Sequence, residues 1–355
     1  MINYIFRAMP LNRDSRTERF SKIIGRDCVC NTWEDSYESQ KGLERLKIGK
    51  NRASKIITYP LYLFYLILFS LIKIKSRDRV ICMELDTFIP VFIGSFWKGA
   101  NIYLDIVDPI GQTKFRKLFF NKLFDYVEFY FLKKRHLNIV PNLNRIEYYH
   151  ESLGLDTSLC KFIVIENVPS IEDVSYENNN IEGRYDIGYF GTLNESRGLK
   201  ELINFIENSD LNLLIAGGGP MHEYIERKSL QLGRKKIEYI GSYGANKLGI
   251  LYAKVDFSWS YYTDQIFLHK FASPNKYYEH LAFKVPIIIN EYVPFSSNVE
   301  KMKTGVVIGD ALTSYCFKEM ERKILNYNYL KSNFNLWDLE YKNYKVNLEL
   351  YEEQL

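Results

Sequence analysis

Short apolar runs that are typical of strands alternate with longer amphipathic runs that are typical of helices along this chain. The alternation stops after Pro169 at a polar stretch, IEDVSYENNNIEG, and then resumes. Such a βα pattern predicts parallel sheets with helices on their faces. Because 355 residues are enough for about two domains, we predict an α/β protein with two doubly wound, Rossmann-like domains facing a cleft. Ligands bind such domains at the carboxyl ends of the strands.

The strands predicted in the first half are Ile2–Phe6, Asp27–Trp33, Arg79–Met83, Asn101–Val107, Leu137–Val140 and Phe162–Ile165. Those predicted in the second half are Tyr185–Phe190, Leu211–Ala216, Ile237–Ile240, Val255–Trp259 and Val285–Asn290. Helices are predicted at Leu199–Ile206, Ala245–Tyr252 and Asn275–Ala282, among others.

The composition is that of an ordinary globular protein, with 46% hydrophobic and 25% charged residues. A net charge of +4 is too small to indicate a nucleic-acid partner. The charge is unevenly distributed, since residues 1–80 carry 16 Lys and Arg against 8 Asp and Glu. A basic N-terminal part suits an anionic partner, such as a phosphate-bearing substrate or an anionic membrane surface.

The five cysteines are an odd number without paired spacing, and no Cys/His cluster is present in the sequence. We therefore expect reduced thiols in a cytoplasmic protein, with no metal site. No apolar core of a signal peptide is visible near the N-terminus.

The run Ile56–Ile72 holds seventeen residues without a charge, between basic residues from Lys47 to Lys55 and from Lys73 to Arg79. It could be a buried core helix, a helix in the membrane interface or a membrane span, with Pro60 limiting the helix to Leu61 onward. A second stretch, Lys114–Arg135, mixes aromatic and basic residues and could pack in a core or face a membrane. We expect peripheral association with the inner face of the cell membrane.

The run GGGP at residues 217–220 follows a predicted strand and opens a helix. It lacks the third glycine of the dinucleotide fingerprint, because His222 stands in that place, so a nicotinamide dehydrogenase is disfavoured. The run fits either a tight turn without a ligand or a close backbone approach to a phosphate.

Two further motifs indicate a diphosphate site. In GTLNESRGL, Gly191 ends a strand and Arg197 opens the next helix, where a guanidinium can match phosphate oxygens. In SPNKYYEHL, Lys276 lies in a first helical turn and Glu279 follows one turn later, so both face the same side. A carboxylate there can accept hydrogen bonds from two ribose hydroxyls, although an ordinary salt bridge has the same spacing.

Together, GTLNESRGL, LLIAGGGP, IEYIGSY, LYAKVDFSWS and SPNKYYEHLAFKVPII resemble the nucleotide-sugar half of the retaining, GT-B-fold glycosyltransferases of family four. The first-half segments NRDSRTERF, MELDTFIP, IYLDIVDPI and VIENVP are similar to segments of the same family. The resemblance implies an acceptor-binding, membrane-facing domain over 1–170, a linker over 171–182 and a nucleotide-sugar domain over 183–335. A C-terminal helix over 336–355 would cross back to the first domain.

The resemblance also implies the site residues and partners. The donor nucleoside-diphosphate sugar would be held by Gly191, Thr192, Arg197, Gly218, Gly241, Ser242, Ser273, Asn275, Lys276 and Glu279. In that set Glu279 would bind the ribose, and Gly241 and Ser242 would lie near the base. No metal or cofactor is implied, because cationic side chains would neutralise the leaving diphosphate.

Candidates for acceptor binding or proton removal are Asp14, Arg16, Asp105 and Asp108, each of which could instead be a capping or strand-end residue. The resemblance implies transfer to a glycan hydroxyl, with a lipid-linked acceptor in bacterial surface polysaccharide synthesis. Many family members carry Glu at the position of Phe271 and His at that of Val107. These two departures favour the alternative, a non-catalytic glycosyltransferase-like partner protein at the membrane.

Overall fold

The computed structural model describes residues 2–11, 14–24, 28–34, 45–47, 52–134, 138–174 and 184–351. The chain divides into two compact units, one of Met1–Glu166 with Tyr344–Leu355 and one of Asn167–Asn343. Most of the predicted linker, 175–182, lies outside the described residues, and Ile171–Val174 before it forms a short helix in the second unit.

The first unit is built on a parallel seven-stranded sheet in the order β3-β2-β1-β4-β5-β6-β7. Its strands are β1 (Asn3–Arg7), β2 (Cys28–Glu34), β3 (Arg45–Lys47), β4 (Arg79–Met83), β5 (Asn101–Asp105), β6 (Asn138–Val140) and β7 (Phe162–Val164). Its helices are α1 (Ser15–Ile24), α2 (Arg52–Lys73), α3 (Leu85–Ser95), α4 (Ile110–Thr113), α5 (Asn121–Lys134) and α6 (Asn144–Leu153).

Strands β1 and β4 lie at the centre of this sheet and are buried along their whole length. They pair in parallel register, with Asn3 opposite Arg79 and Arg7 opposite Met83. The strand order reverses between them, because β1 has β2 on its other side and β4 has β5. In a doubly wound sheet this switch point opens a crevice at the carboxyl ends of the two strands.

Helix α2 differs from its prediction, since it begins at Arg52 and continues through Pro60 to Lys73. The proline removes one backbone donor. Packing on α3 and ring contacts of Tyr59 with Trp33 on β2 and of Phe69 with Phe6 on β1 support the helix on both sides of it. The hydroxyl of Tyr62 donates to the carbonyls of Arg7 and Asn31, at 3.1 and 3.0 Å, and so fixes α2 to the sheet. In the described chain it is the one helix with the length and apolar character of a membrane span, yet one of its faces is core.

The second unit is built on a parallel six-stranded sheet in the order β10-β9-β8-β11-β12-β13. Its strands are β8 (Tyr185–Phe190), β9 (Leu213–Ala216), β10 (Ile237–Gly241), β11 (Val255–Ser260), β12 (Ile287–Asn290) and β13 (Gly305–Ile308). Its helices are α7 (Ile171–Val174), α8 (Leu199–Glu207), α9 (His222–Leu232), α10 (Leu248–Ala253), α11 (Asn275–Phe283), α12 (Ser296–Met302) and α13 (Ser314–Leu325), and α14 (Leu339–Tyr351) begins in it.

The predicted doubly wound architecture is confirmed in both units. Helix α8 shows why the sequence predicted its helices. Its apolar residues Leu199, Leu202, Ile203 and Ile206 recur at helical spacing, and all four side chains are buried. Strands β3 and β13 were not predicted. Each is an edge strand of three or four residues, too short to give a distinct apolar period.

Candidate functional site

The loops that follow β8, β9 and β10 form a glycine-lined floor in the second unit. The Gly191 amide donates to the Ala216 carbonyl at 3.0 Å, and the Gly217 amide donates to the Gly241 carbonyl at 2.7 Å. Gly217 has φ of 150°, and a Cβ there would lie 1.8 Å from the Gly191 carbonyl oxygen. Side chains are therefore excluded, and a ligand can approach the backbone closely.

Lys276 reaches this floor from the first turn of α11. A Cβ on Gly191 would lie only 2.8 Å from its Nζ, and Nζ stands 4.5 Å from the centre of the Tyr189 ring. Burial lowers the pKa of Lys276 to about 8, and the charge of Arg197 adds to this effect while Glu279 opposes it. The ammonium group is thus held where its own charge is disfavoured.

Arg197 is the second cation, and its guanidinium stacks 3.7 Å above the ring of Tyr262. The ring is held by Asn290, whose Oδ1 accepts from the Tyr262 amide and whose Nδ2 donates to the Tyr262 carbonyl, both at 3.0 Å. Trp259 Nε1 donates to the Arg197 carbonyl at 2.9 Å. The Nη1 atom of Arg197 is buried without a hydrogen-bond partner among the described residues.

Glu279 is buried one turn after Lys276 on α11, and its Oε2 accepts from the Tyr252 hydroxyl at 3.1 Å. The structure thus puts the predicted Lys276 and Glu279 on one helix beside the glycine floor. Strands β8 and β11 are the switch point of this sheet, because the strand order reverses between them. Gly191 follows the first of these strands and α11 follows the second, so the cations lie where doubly wound domains bind ligands.

The other predicted donor residues lie on the loops after β8 and β9, at the end of β10 and at the start of α11. A Cβ on Gly218 would come within 2.6 Å of Ser242 Oγ. The Thr192 carbonyl accepts from the Tyr189 hydroxyl at 2.5 Å. Ser273 and Asn275 lie directly before Lys276 in the chain, and Ser273 Oγ is 3.1 Å from the Tyr278 hydroxyl.

Three tyrosines of this site were not singled out by sequence reasoning. Tyr189 lies beside Lys276, Tyr262 carries Arg197, and Tyr252 contacts Glu279. Among 28 tyrosines no spacing marks these three. Only their places in the predicted elements could have indicated them: Tyr189 lies near the end of β8, Tyr262 follows β11, and Tyr252 lies on α10.

In the first unit, Arg16 and Asp105 form a buried pair. Arg16 Nε and Nη2 donate to the two carboxylate oxygens at 2.7 and 2.9 Å, and Nη1 donates to the Ile165 carbonyl at 2.8 Å. Both oxygens of Asp105 are thus engaged. Burial nevertheless raises the pKa of Asp105, although Arg16 opposes the shift.

The two other first-unit candidates also have structural partners. Asp14 caps α1, since its Oδ1 accepts from the amides of Arg16 and Thr17 at 3.1 and 3.3 Å. Asp108 is half-buried and pairs with Arg145 at 2.8 Å. The structure thus brings Asp14, Arg16 and Asp105 together around the start of α1, in the roles of cap and ion pair.

A charged cluster at the β1–β4 switch point was missed in the sequence. Glu84 Oε2 lies 2.8 Å from Arg7 Nη1 and 3.2 Å from Lys114 Nζ, and Asp86 accepts from the Tyr59 hydroxyl at 2.5 Å. Glu84 follows β4 directly with φ of 69° and ψ of 162°, a positive-φ conformation that residues other than glycine rarely adopt. Burial raises the pKa of Glu84 despite the two cations. The sequence feature that could have indicated this cluster is the pair of acidic residues, Glu84 and Asp86, that follows β4 in MELDT.

No protein-family model and no curated protein sequence matches the chain. Solved structures do match over its whole length. Anabaena Alr3699/HepE in complex with UDP and glucose has a TM-score of 0.70 at 12% identity and covers 99% of each chain. Sucrose-phosphate synthase from Thermosynechococcus elongatus has a TM-score of 0.67 at 13% identity and covers 100% of this chain and 99% of its own.

WaaG, a glycosyltransferase involved in lipopolysaccharide biosynthesis, has a TM-score of 0.65 at 13% identity and covers 99% of this chain and 100% of its own. At these identities the likeness concerns the fold. The chain has the two-domain, Rossmann-like GT-B fold of these proteins.

Proposed function

We propose that this protein is a glycosyltransferase that moves a sugar from a nucleoside-diphosphate sugar to a hydroxyl of a glycan acceptor. The observation that carries the proposal is the pair of cations at the β8–β11 switch point. Within the described chain, Arg197 keeps a buried Nη1 without a hydrogen-bond partner, and Lys276 is held with its pKa lowered to about 8. A diphosphate would satisfy the guanidinium and restore the ammonium charge.

The solved structures of similar fold support the same reading, because HepE was captured with UDP and with glucose. In the transfer reaction, negative charge develops on the departing diphosphate. Preorganised cations stabilise that charge without a metal ion, so we assign this role to Arg197 and Lys276. Glu279 would accept hydrogen bonds from the ribose hydroxyls, and the turn at Gly241 and Ser242 would border the base.

The proposal has three finer parts: the anomeric configuration is retained, the acceptor is lipid-linked, and the reaction belongs to bacterial surface polysaccharide synthesis. The basic N-terminal part and the exposed apolar face of α2 support an acceptor at a membrane. The involvement of WaaG in lipopolysaccharide biosynthesis points in the same direction. The protein would then lie on the cytoplasmic face, associated peripherally.

The second candidate function is a non-catalytic partner with the same fold. Phe271 favours it, because an apolar, buried side chain ends the turn before α11 where many similar enzymes place a carboxylate. Arg197 and Lys276 argue against it, since a protein without turnover has no need to keep two cations together, one of them with a buried Nη1 that lacks a hydrogen-bond partner among the described residues.

Release of nucleoside diphosphate separates the two candidates. The purified protein is incubated with a panel of nucleotide sugars, with and without bacterial lipid extract as acceptor. We expect release by the parent protein, a loss of about 10²–10³-fold in Lys276→Ala, and no loss in the control Lys235→Ala, an exposed lysine of the same unit. Tight nucleotide binding without any release would favour the non-catalytic partner.

A further inference from the structure

The outer face of α2 is apolar although the inner face belongs to the core. Tyr62, Leu66 and Phe69 are buried. The exposed large apolar side chains of the same helix are Ile56, Ile57, Leu61, Phe64, Leu68, Leu71 and Ile72. Between Ile56 and Ile72, where the structure describes the side chains, α2 is therefore apolar on both faces, and no polar stripe faces the solvent.

The exposed apolar side chains continue from α2 onto the end of α3. Ile93, Phe96 and Trp97 are exposed there. Lys98 Nζ donates to the carbonyls of Ser70 and Ile74, at 3.0 and 2.9 Å, and so ties the end of α3 to the end of α2. The two helix ends are neighbours, and their apolar groups share one side of the unit.

A third element, the loop before α5 and α5 itself, extends this side. The rings of Phe88 and Phe92 on α3 lie 5.5 and 6.3 Å from that of Phe131 on α5, so α3 packs between α2 and α5. The exposed apolar residues here are Leu118, Phe119, Phe120, Leu123, Tyr126, Val127 and Tyr130. Phe119 is 96% exposed. We call the exposed apolar side chains of α2, of the α3 end and of 118–130 the apolar surface.

Charges around the apolar surface are sorted by sign. Between residues 52 and 134, six of the seven acidic side chains are buried, and the seventh, Asp108, is half-buried and paired with Arg145. The exposed charges that the structure describes in this stretch are all cations: Lys73, Lys75, Arg77, Lys114, Arg116, Lys117, Lys122, Lys133 and Lys134.

Helix α5 shows how this sorting is achieved. Asp125 turns inward and accepts from the Gly111 amide and the Tyr148 hydroxyl, both at 2.7 Å. Glu128 turns inward and accepts from the Tyr149 hydroxyl at 2.5 Å. The helix therefore presents only aromatic, aliphatic and cationic groups outward.

We infer that the apolar surface docks onto an anionic phospholipid bilayer, with Leu118–Phe120 inserted at the acyl boundary and the surrounding cations at the headgroups. An aromatic and aliphatic face rimmed by Lys and Arg is the chemistry that an anionic interface recognises. The buried face of α2, fixed to the sheet through Tyr62, makes this helix lie in the interface and not cross the bilayer. The inference supplies the membrane contact of the proposed acceptor, and it can hold or fail independently of the transfer reaction.

Co-sedimentation with vesicles tests the inference on the full chain. We expect binding to phosphatidylglycerol-containing vesicles at low salt, and little binding to phosphatidylcholine vesicles or at about 1 M salt, where the Debye length is about 3 Å. Phe119→Glu with Phe120→Glu, and Arg116→Glu with Lys117→Glu, should each lower partitioning at least about tenfold. The matched controls Leu230→Glu and Lys235→Glu change an exposed apolar and an exposed basic residue of the second unit and should bind as the parent does.

Nucleotide affinity, measured by calorimetry on the same samples, should be equal in all variants, which separates this inference from the proposed function. The inference would be overturned if both double variants bound to the vesicles as strongly as the parent protein does. So would an oligomer in solution that ignores vesicles and becomes monomeric on Phe119→Glu, because a second copy of the chain would then be the occupant.

Discussion

The folded chain brings two cations, Lys276 and Arg197, close together in a buried place, which disfavours the charge of the lysine. Burial lowers the pKa of Lys276 to about 8, and the Arg197 charge contributes to the shift. Proteins tolerate such arrangements where a ligand of opposite charge completes them. The stacking of Arg197 on Tyr262, which Asn290 fixes in turn, holds the guanidinium in place before any ligand arrives.

A pH dependence of nucleotide binding follows from this lowered pKa. A bound diphosphate favours the charged lysine and so raises its pKa, which means that affinity is fully present below about pH 8 and declines as the pH rises above it. We expect the affinity for nucleoside diphosphate, measured by calorimetry, to fall between about pH 8 and about pH 10. Lys276→Arg should bind with an affinity that is flat over this range, and an equal decline in that variant would contradict the assignment.

Asp105, a candidate for acceptor binding or proton removal, forms a buried ion pair in the structure. Its two oxygens accept from Arg16, and the pair is buried. Removing one partner of a buried pair leaves an uncompensated charge and costs about 3–5 kcal/mol. Arg16→Ala should therefore lower the free energy of unfolding by that amount in urea titrations, whereas Lys22→Ala, which removes a more exposed pair on the same helix, should cost less than about 1 kcal/mol. A stable Arg16→Ala protein that loses only transferase activity would return the pair to the catalytic candidates.

At the scale of elements, α2 combines a core face with an apolar outer face. Its sequence shows no alternation of apolar and polar residues, which is why core, interfacial and spanning helices were all compatible with it. The structure separates the two faces, because Leu66 is 0% exposed and Leu68 is 42% exposed. The helix also runs through Pro60, since tertiary packing outweighs one lost hydrogen bond.

Leu66 and Leu68 give a matched pair of substitutions on this helix. Leu66→Ala should cost about 2–5 kcal/mol of unfolding free energy, because it leaves a cavity in the core. Leu68→Ala should change that free energy by no more than about 0.5 kcal/mol and should weaken binding to anionic vesicles. Chemical denaturation and vesicle co-sedimentation measure the two effects, and similar stability losses in both variants would show that the outer face is also packed.

At the scale of the whole molecule, sequence reasoning predicted the doubly wound sheets, which the structure confirms, and singled out the loops of the second unit to which we assign the donor site. Those features depend on local signals: strand-ending glycines, a lysine and a glutamate one turn apart, and apolar residues at helical spacing. The cluster of Arg7, Glu84 and Lys114 could not be predicted in the same way. It joins residues far apart in the chain, and it depends on a glutamate with a positive φ that no residue preference indicates.

Metal independence is a prediction for the complete reaction. Transfer should proceed at an unchanged rate in excess chelator, because Arg197 and Lys276 are proposed to stabilise the leaving diphosphate. The measurement is nucleoside-diphosphate release with and without chelator. Loss of activity that magnesium or manganese restores would assign the protein to a metal-dependent class.

The central claim is that the glycine floor with Arg197 and Lys276 binds a nucleoside diphosphate. Isothermal titration calorimetry with a panel of nucleoside diphosphates tests it most directly, on the parent protein and on Arg197→Ala, Lys276→Ala and the control Lys235→Ala. We expect that at least one nucleotide binds and that each site variant loses about 1.5–3 kcal/mol of binding free energy, while the control binds as the parent does. Glu279→Gln should in addition lose discrimination between that nucleotide and inorganic diphosphate. Undiminished binding by both Arg197→Ala and Lys276→Ala, or no binding of any nucleotide by the parent protein, would contradict the claim.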